Sequence, residues 1–238
     1  MRRPCLAARK CHFGMRFQDL SWMDVDRYLQ QDNRVILITG ATEQHAYLSL
    51  MTDVLVPERI AWAVGEQAGV LVAPSLCFGI SGGFADFPGA ICLSQMTFDA
   101  VVLEVVESLL HQGFRRFLVV NGHPGNRLPQ RVRDLAMEGL IRLAWFDWWC
   151  GSAVKAVEAQ HNLRADHANW GENFAFNRVG PCPAGVKPPV NLDETEDRSL
   201  RAVLGDGSYG GPYEVGSEIM QALFAGVVSE AAALLAAL

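Results

Sequence analysis

At 238 residues, half of them hydrophobic and with a formal net charge of −6, the chain suits one large domain with a full core better than two small ones. Beyond Arg2-Arg3 and Arg115-Arg116 there is no cluster of basic residues, which argues against the basic face of a nucleic-acid binder and leaves a small molecule as the expected partner. The six cysteines, Cys5, Cys11, Cys77, Cys92, Cys150 and Cys182, are scattered without a Cys-x-x-Cys pair and do not read as a disulfide framework. The basic N-terminus (Arg2, Arg3, Arg9, Lys10) lacks a secretory apolar core, so a cytoplasmic protein is expected. Residues 1–14 read as a disordered extension, and 15–238 as a single α/β domain.

Arg34 to Thr39 (RVILIT) is a β-branched run of the kind buried on both faces of a sheet. Pro57 suits a helix first turn, so 57–68 reads as a helix ending at Gly69, followed by a strand over 70–73. Phe98 to Gln112 has helical apolar spacing and stops at Gly113; Arg116 to Val120 (RFLVV) is a third buried strand. A helix over 126–139 and a strand over 141–146 continue the alternation. Residues 178–215, rich in Gly and Pro, read as surface loops. The apolar stretch from Ile219 to Leu238 is interrupted by Glu230 and is Ala-rich, so a docking helix is expected rather than a membrane span, which needs roughly 18 apolar residues. The alternation implies a three-layer α/β/α fold around a mainly parallel sheet.

Ligands of such sheets bind beyond the carboxyl ends of the strands. The first strand is followed by Glu43-Gln44-His45 and then Asp53, the third by Asn121-Gly122-His123-Pro124-Gly125-Asn126. Imidazole with carboxylate is a ligand set for zinc, manganese or iron. In an extended segment Glu43 and His45, two apart, face the same side. Each residue also has a plainer reading: Asp53 as a helix cap, the histidines as packed or solvated side chains. The conjunction of Glu-x-His, a nearby Asp and a distant Asn-Gly-His, each at a strand end, favours a metal site.

These residues carry a resemblance to the creatininase (creatinine amidohydrolase) family from Phe17 to the C-terminus. Its first block, Gly-x-x-Glu-Gln-His with a later Thr-Asp, is similar to Gly40 through His45 and Thr52-Asp53. The second resembles Gly79-Ile80-Ser81 through Phe87-Pro88-Gly89, the third Asn121 through Asn126 with Pro124 in place of a glycine, and the fourth Asp166-His167-Ala168 through Glu172-Asn173. The resemblance implies two divalent ions (Zn, Mn or Fe) bridged by Asp53, with Glu43 and His123 completing one set of ligands and His45 and Glu172 the other. It implies hydrolysis of a small cyclic or activated amide by metal-activated water, with His167 protonating the leaving nitrogen and Glu172 as ligand or general base. Ser81 and Trp170 are expected to meet substrate, with Trp148 and Trp149 as further candidates for the pocket wall. Asn121 and Asn126 are expected to fix the loop of His123, and Asp166 to orient His167. The family resemblance also implies a homo-oligomer, often a hexamer; the lack of a spanning apolar run leads to the expectation of no membrane partner.

Three departures separate the chain from creatininase itself. Ala46-Tyr47-Leu48-Ser49-Leu50 replaces a stretch with a second histidine, Gly82-Gly83-Phe84 stands where a Glu-His pair is common, and Gly125 occupies the place of a glutamate. The first implies a different pocket mouth; the last argues against creatinine as substrate and places the fifth ligand at Glu172. A deformylase or lactonase using the same centre, or a catalytically silent ligand-binding relative, are the competing readings.

Overall fold

The computed structural model describes residues 15–193 and 198–238; the extension expected over 1–14 lies outside the described residues. The central sheet is built from β1 (Arg34–Thr39), β2 (Leu71–Val72), β3 (Arg116–Asn121) and β4 (Arg142–Asp147), all parallel, in the order β2-β1-β3-β4. In β1 and β3 every residue after the first is buried, as the unbroken aliphatic runs require of strands covered on both faces.

Alternate side chains of these strands feed two cores. On one face, α2 (Thr52–Ala68), α5 (Ser152–His161) and α7 (Ser217–Ala236) enclose Ile36, Ile38, Leu118 and Val120 with Val64, Leu223 and Leu235. On the other, α1 (Trp22–Leu29), α3 (Gln95–Gln112) and α4 (Gln130–Met137) cover Val35, Leu37, Phe117 and Val119 with Phe98, Val106 and Val132. Each fully buried aliphatic or aromatic side chain contributes about 1.5–3 kcal/mol. The chain thus has the three-layer α/β/α architecture with a parallel sheet. A short helix, α6 (Leu200–Leu204), and an antiparallel pair, β5 (Val186–Lys187) with β6 (Gly211–Pro212), organise the stretch read as loops.

Helix α7 is long and apolar enough to cross a membrane by length and composition. Here it lies along α2 and α5 and buries Met220, Leu223, Val227, Ala231 and Leu235. Its Glu230 accepts hydrogen bonds from the main-chain N–H groups of Ser152 and Ala153 at 2.9 and 3.0 Å, capping α5 from outside that helix. The four described cysteines are free.

Two helix starts differ from expectation. Helix α2 begins at Thr52, so Pro57 sits inside it rather than in its first turn. Pro57 has no N–H to offer the carbonyl of Asp53, and that carbonyl packs against the site loops instead. Helix α4 begins at Gln130, because Asn126 is drawn into the loop after β3 by its own side-chain hydrogen bonds.

Candidate metal centre

Strands β1 and β3 are neighbours in register, Thr39 opposite Asn121, so the loops that follow them leave the same edge of the sheet. Thr39 Oγ1 donates to Asn121 Oδ1 at 2.8 Å, and Gly122 N donates to Thr39 O at 2.7 Å. The first turn of α2 is wedged between these loops. A Cβ at Gly40 would lie 2.4 Å from the main-chain oxygen of Asp53, and one at Gly122 only 1.9 Å from it. Both loops therefore need glycine where they touch the helix, and that contact carries the Asp53 side chain between the two histidines.

Asp53 offers one oxygen to each. His45 Nε2 is 3.0 Å from Oδ1, and His123 Nδ1 is 3.0 Å from Oδ2. Glu172 Oε2 stands 3.7 Å from His45 Nε2, and Glu43 Oε2 stands 3.4 Å from His123 Nδ1. The two halves, Glu43 with Asp53 and His123, and His45 with Asp53 and Glu172, each bring three ligand atoms within 4.8 Å of one another. Asp53 belongs to both, the pairing that the family resemblance implied.

The other ring nitrogens face main-chain carbonyls, His45 Nδ1 at 3.3 Å from Glu43 O and His123 Nε2 at 3.0 Å from Ile80 O. A carbonyl only accepts, so these nitrogens carry the hydrogen, and in a neutral ring the nitrogens facing Asp53 are the ones left with lone pairs. Two lone pairs set against carboxylate oxygens demand positive charge in each half. Protons alone would meet that demand only with strongly basic imidazoles. Against burial, which lowers them, the surrounding carboxylates raise His45 to about 10 and His123 to about 11. Asp53, against its own burial, is held well below the carboxylate range by the same two histidines, and burial lifts Glu172 to about 7. Glu43 Oε2 and His45 Nε2 are buried without a hydrogen-bond partner. A metal cation would answer the same demand as these protons, and the mixed imidazole–carboxylate set fits zinc, manganese or iron.

The remaining predicted residues divide. Asn121 and Asn126 hold the third block: Asn121 Nδ2 donates to His123 O at 2.9 Å and to Asp147 Oδ1 at 2.8 Å, while Asn126 Nδ2 donates to Gly40 O at 3.0 Å. Ser81 is buried on the wall of the adjoining cavity, and its Oγ has no hydrogen-bond partner. Trp170, expected to meet substrate, instead lies wholly in the core with its indole N–H donating to Arg164 O at 2.9 Å; Trp148 and Trp149 line the cavity. Asp166, expected to orient the ring of His167, accepts from the main-chain N–H of that residue at 2.9 Å. The ring itself touches Gln44, whose Nε2 lies 2.7 Å from His167 Nε2, and stacks on Phe84 with centroids 4.6 Å apart. Gln44, Phe84 and Tyr209 are site residues the sequence reading missed; Gln44 was visible inside the Glu-Gln-His block, whereas the contacts of Phe84 and Tyr209 have no local signature.

The cavity beside the histidines has a volume of about 360 Å³. Its apolar wall is formed by Ile80, Phe84, Trp148, Trp149, Val154 and Tyr209, and among the described residues no Arg or Lys lines it. Burial pushes His167, on the same wall, well below the usual histidine range. A side chain at Gly125 would place its Cβ 2.3 Å from Ile80 O and 2.5 Å from His123 Nε2. The backbone here thus leaves no room for a side chain at position 125, where the family resemblance would place a glutamate.

The sequence model of the creatininase family, described as creatinine amidohydrolase, matches residues 18–235. The chain belongs to the creatininase family. It is 32% identical over 117 residues to a creatinine amidohydrolase of Pseudomonas putida, covering 46% of this chain and 45% of that protein. It is 34% identical over 143 residues to a mycofactocin precursor peptide peptidase of Mycobacterium ulcerans, covering 53% and 54%. The matched region thus spans about half the length of these relatives. A solved mutant creatininase of the Zn–Zn type superposes with a TM-score of 0.73 at 21% identity, covering 92% of this chain and 96% of that one, which shows the shared fold.

Proposed function

We propose that this protein is a metal-dependent amidohydrolase that holds two divalent ions and hydrolyses the C–N bond of a small cyclic or activated amide. The observation that carries this reading is the division of Asp53, one oxygen at 3.0 Å from each of two histidines whose other nitrogens are already satisfied. Glu43, Asp53 and His123 would hold one ion, and His45, Asp53 and Glu172 the other. Bound there, the pair would lower the pKa of a coordinated water to about 7 and polarise the substrate carbonyl.

The protein's own groups supply the rest. Three carboxylates offset most of the charge of two dications, which permits a buried site. The aromatic wall lowers the local dielectric and so strengthens electrostatic contacts beside it. Ser81 Oγ, lacking a partner, offers a hydrogen bond to a ligand. With no Arg or Lys among the described residues of the wall, a neutral or cationic amide with an apolar face fits better than an anionic one.

The test is a panel of cyclic amides, formamides, lactones and short peptides offered to the zinc- or manganese-loaded protein. Hydrolysis of an amide that is lost on chelation supports the reading. Turnover of lactones alone, or none with both ions bound, overturns it in favour of a lactonase or a silent ligand-binding relative.

A further inference from the structure

We infer that Gln44 fixes His167 as the tautomer with its hydrogen on Nδ1, so that this histidine meets the substrate as a hydrogen-bond donor. The donor role rests on the reading of the site as a hydrolytic metal centre; the tautomer does not.

The Gln44 amide is buried and its orientation is set by two main-chain groups. Its Oε1 accepts from Ala46 N at 3.1 Å, and its Nε2 donates to Gly207 O at 2.9 Å. An N–H needs an acceptor and a C=O needs a donor, so the reversed amide would lose both bonds. One N–H of the amide then remains, and it points at His167 Nε2, 2.7 Å away. That nitrogen is therefore the acceptor, and the ring hydrogen sits on Nδ1. Nδ1 stands 3.9 Å from Glu43 Oε1 of the cluster.

The surroundings hold this arrangement. The ring is stacked on Phe84 at 4.6 Å with 18° between planes, and Tyr209 packs against it at 5.0 Å. Gly207 must be glycine: its φ is +101°, and a Cβ would fall 1.9 Å from Gln44 Oε1. Lys187 Nζ clasps the loop that presents Gly207, donating to Leu204 O and Ser208 O at 2.7 Å each.

Two consequences follow for the chemistry. A nitrogen that carries hydrogen has no lone pair for an ion, so His167 stays outside the coordination sphere although Glu43, His45 and His167 could otherwise gather around one. The Nδ1–H can donate to the substrate oxygen as negative charge grows there. Proton delivery to the leaving nitrogen would first need Nε2 protonated against the N–H of Gln44, so His167 acts as a fixed donor rather than the general acid expected from sequence. Gln44 is its positioning residue.

The experiment is magic-angle-spinning ¹⁵N NMR of the zinc-loaded full chain labelled at histidine nitrogens, with the His167 signals identified by their loss in His167→Asn. The expected wild-type pattern has a hydrogen-bearing Nδ1 and a hydrogen-free Nε2. Gln44→Glu should move the hydrogen to Nε2, and Gly207→Ala, which displaces the amide without removing it, should abolish the single Nδ1–H pattern. A wild-type His167 with hydrogen on Nε2 overturns the inference by itself, even if neither variant folds, and so does an unchanged pattern in Gln44→Glu. Failure to take up zinc would instead sink the metal-centre reading and leave the tautomer result standing.

Discussion

Gly122→Ala tests the contact that carries Asp53 into the site. The added Cβ would lie 1.9 Å from Asp53 O, 2.9 Å from Asp53 C and 2.7 Å from Pro57 Cγ. Ordinary contact begins at 3.4 Å, so the loop and the helix must part by about 1.5 Å, which is overpacking of a kind that costs about 1–3 kcal/mol. The upper end applies, because a main-chain carbonyl and a proline ring cannot rotate away. Urea unfolding of the metal-free protein should show a loss of about 3 kcal/mol. Zinc affinity should fall at least about 10-fold, as when groups supporting a ligand are disturbed. Gly82→Ala, where no atom lies within 4 Å of the new Cβ, should stay within about 0.5 kcal/mol of wild type. If Gly122→Ala unfolds at the wild-type urea concentration and binds zinc as tightly, the wedge of α2 between the two loops does not position Asp53.

His167→Ala should retain its metal content, read by elemental analysis, while losing most turnover of any amide that the panel identifies; an unchanged rate would remove the residue from the reaction. Asn126→Ala strands Gly40 O and Ile80 N without their side-chain partner and should cost about 2–3 kcal/mol in urea unfolding. Glu230→Ala removes the cap on α5, worth about 1 kcal/mol. Although burial opposes it, the two backbone N–H groups hold Glu230 below its ordinary value of 4.5. Its contribution is therefore present above that value and lost as pH falls through the lower folded one, so wild type and variant should converge in acid and differ near neutrality. Zinc at 100 times its dissociation constant should raise wild-type stability by about 2.7 kcal/mol per site, and chelation should reverse the shift in melting temperature.

The sheet was legible because its signal is local. RVILIT and RFLVV bury residues on both faces, and no amphipathic helix has that pattern. Glu43, His45, Asp53 and His123 were legible because they come after β1 and β3 of a parallel sheet, whose adjacency makes the loop ends meet, whereas Glu172, after α5, came only from the family resemblance. Pro57 misplaced the start of α2 because proline prefers a first turn, while the free Asp53 carbonyl that tolerates it mid-helix comes from packing with Gly40 and Gly122. Trp170 reads as a pocket residue only as a large aromatic, a type more often found in the core, and the indole does turn inward to Arg164 O. Residues 178–215 were read from composition as surface loops, whereas Leu204 and Ser208 are buried and Gly207 reaches Gln44 across more than 160 positions of sequence. Contacts of that kind depend on the whole fold and leave no periodic trace.

The most direct measurement is the zinc content of the purified, zinc-saturated chain by elemental analysis, in wild type and in Asp53→Asn. A carboxylate that bridges two halves predicts about two ions per chain in wild type and at most one in the variant. Two ions retained in Asp53→Asn, or none bound in wild type, would contradict a shared centre built on Asp53.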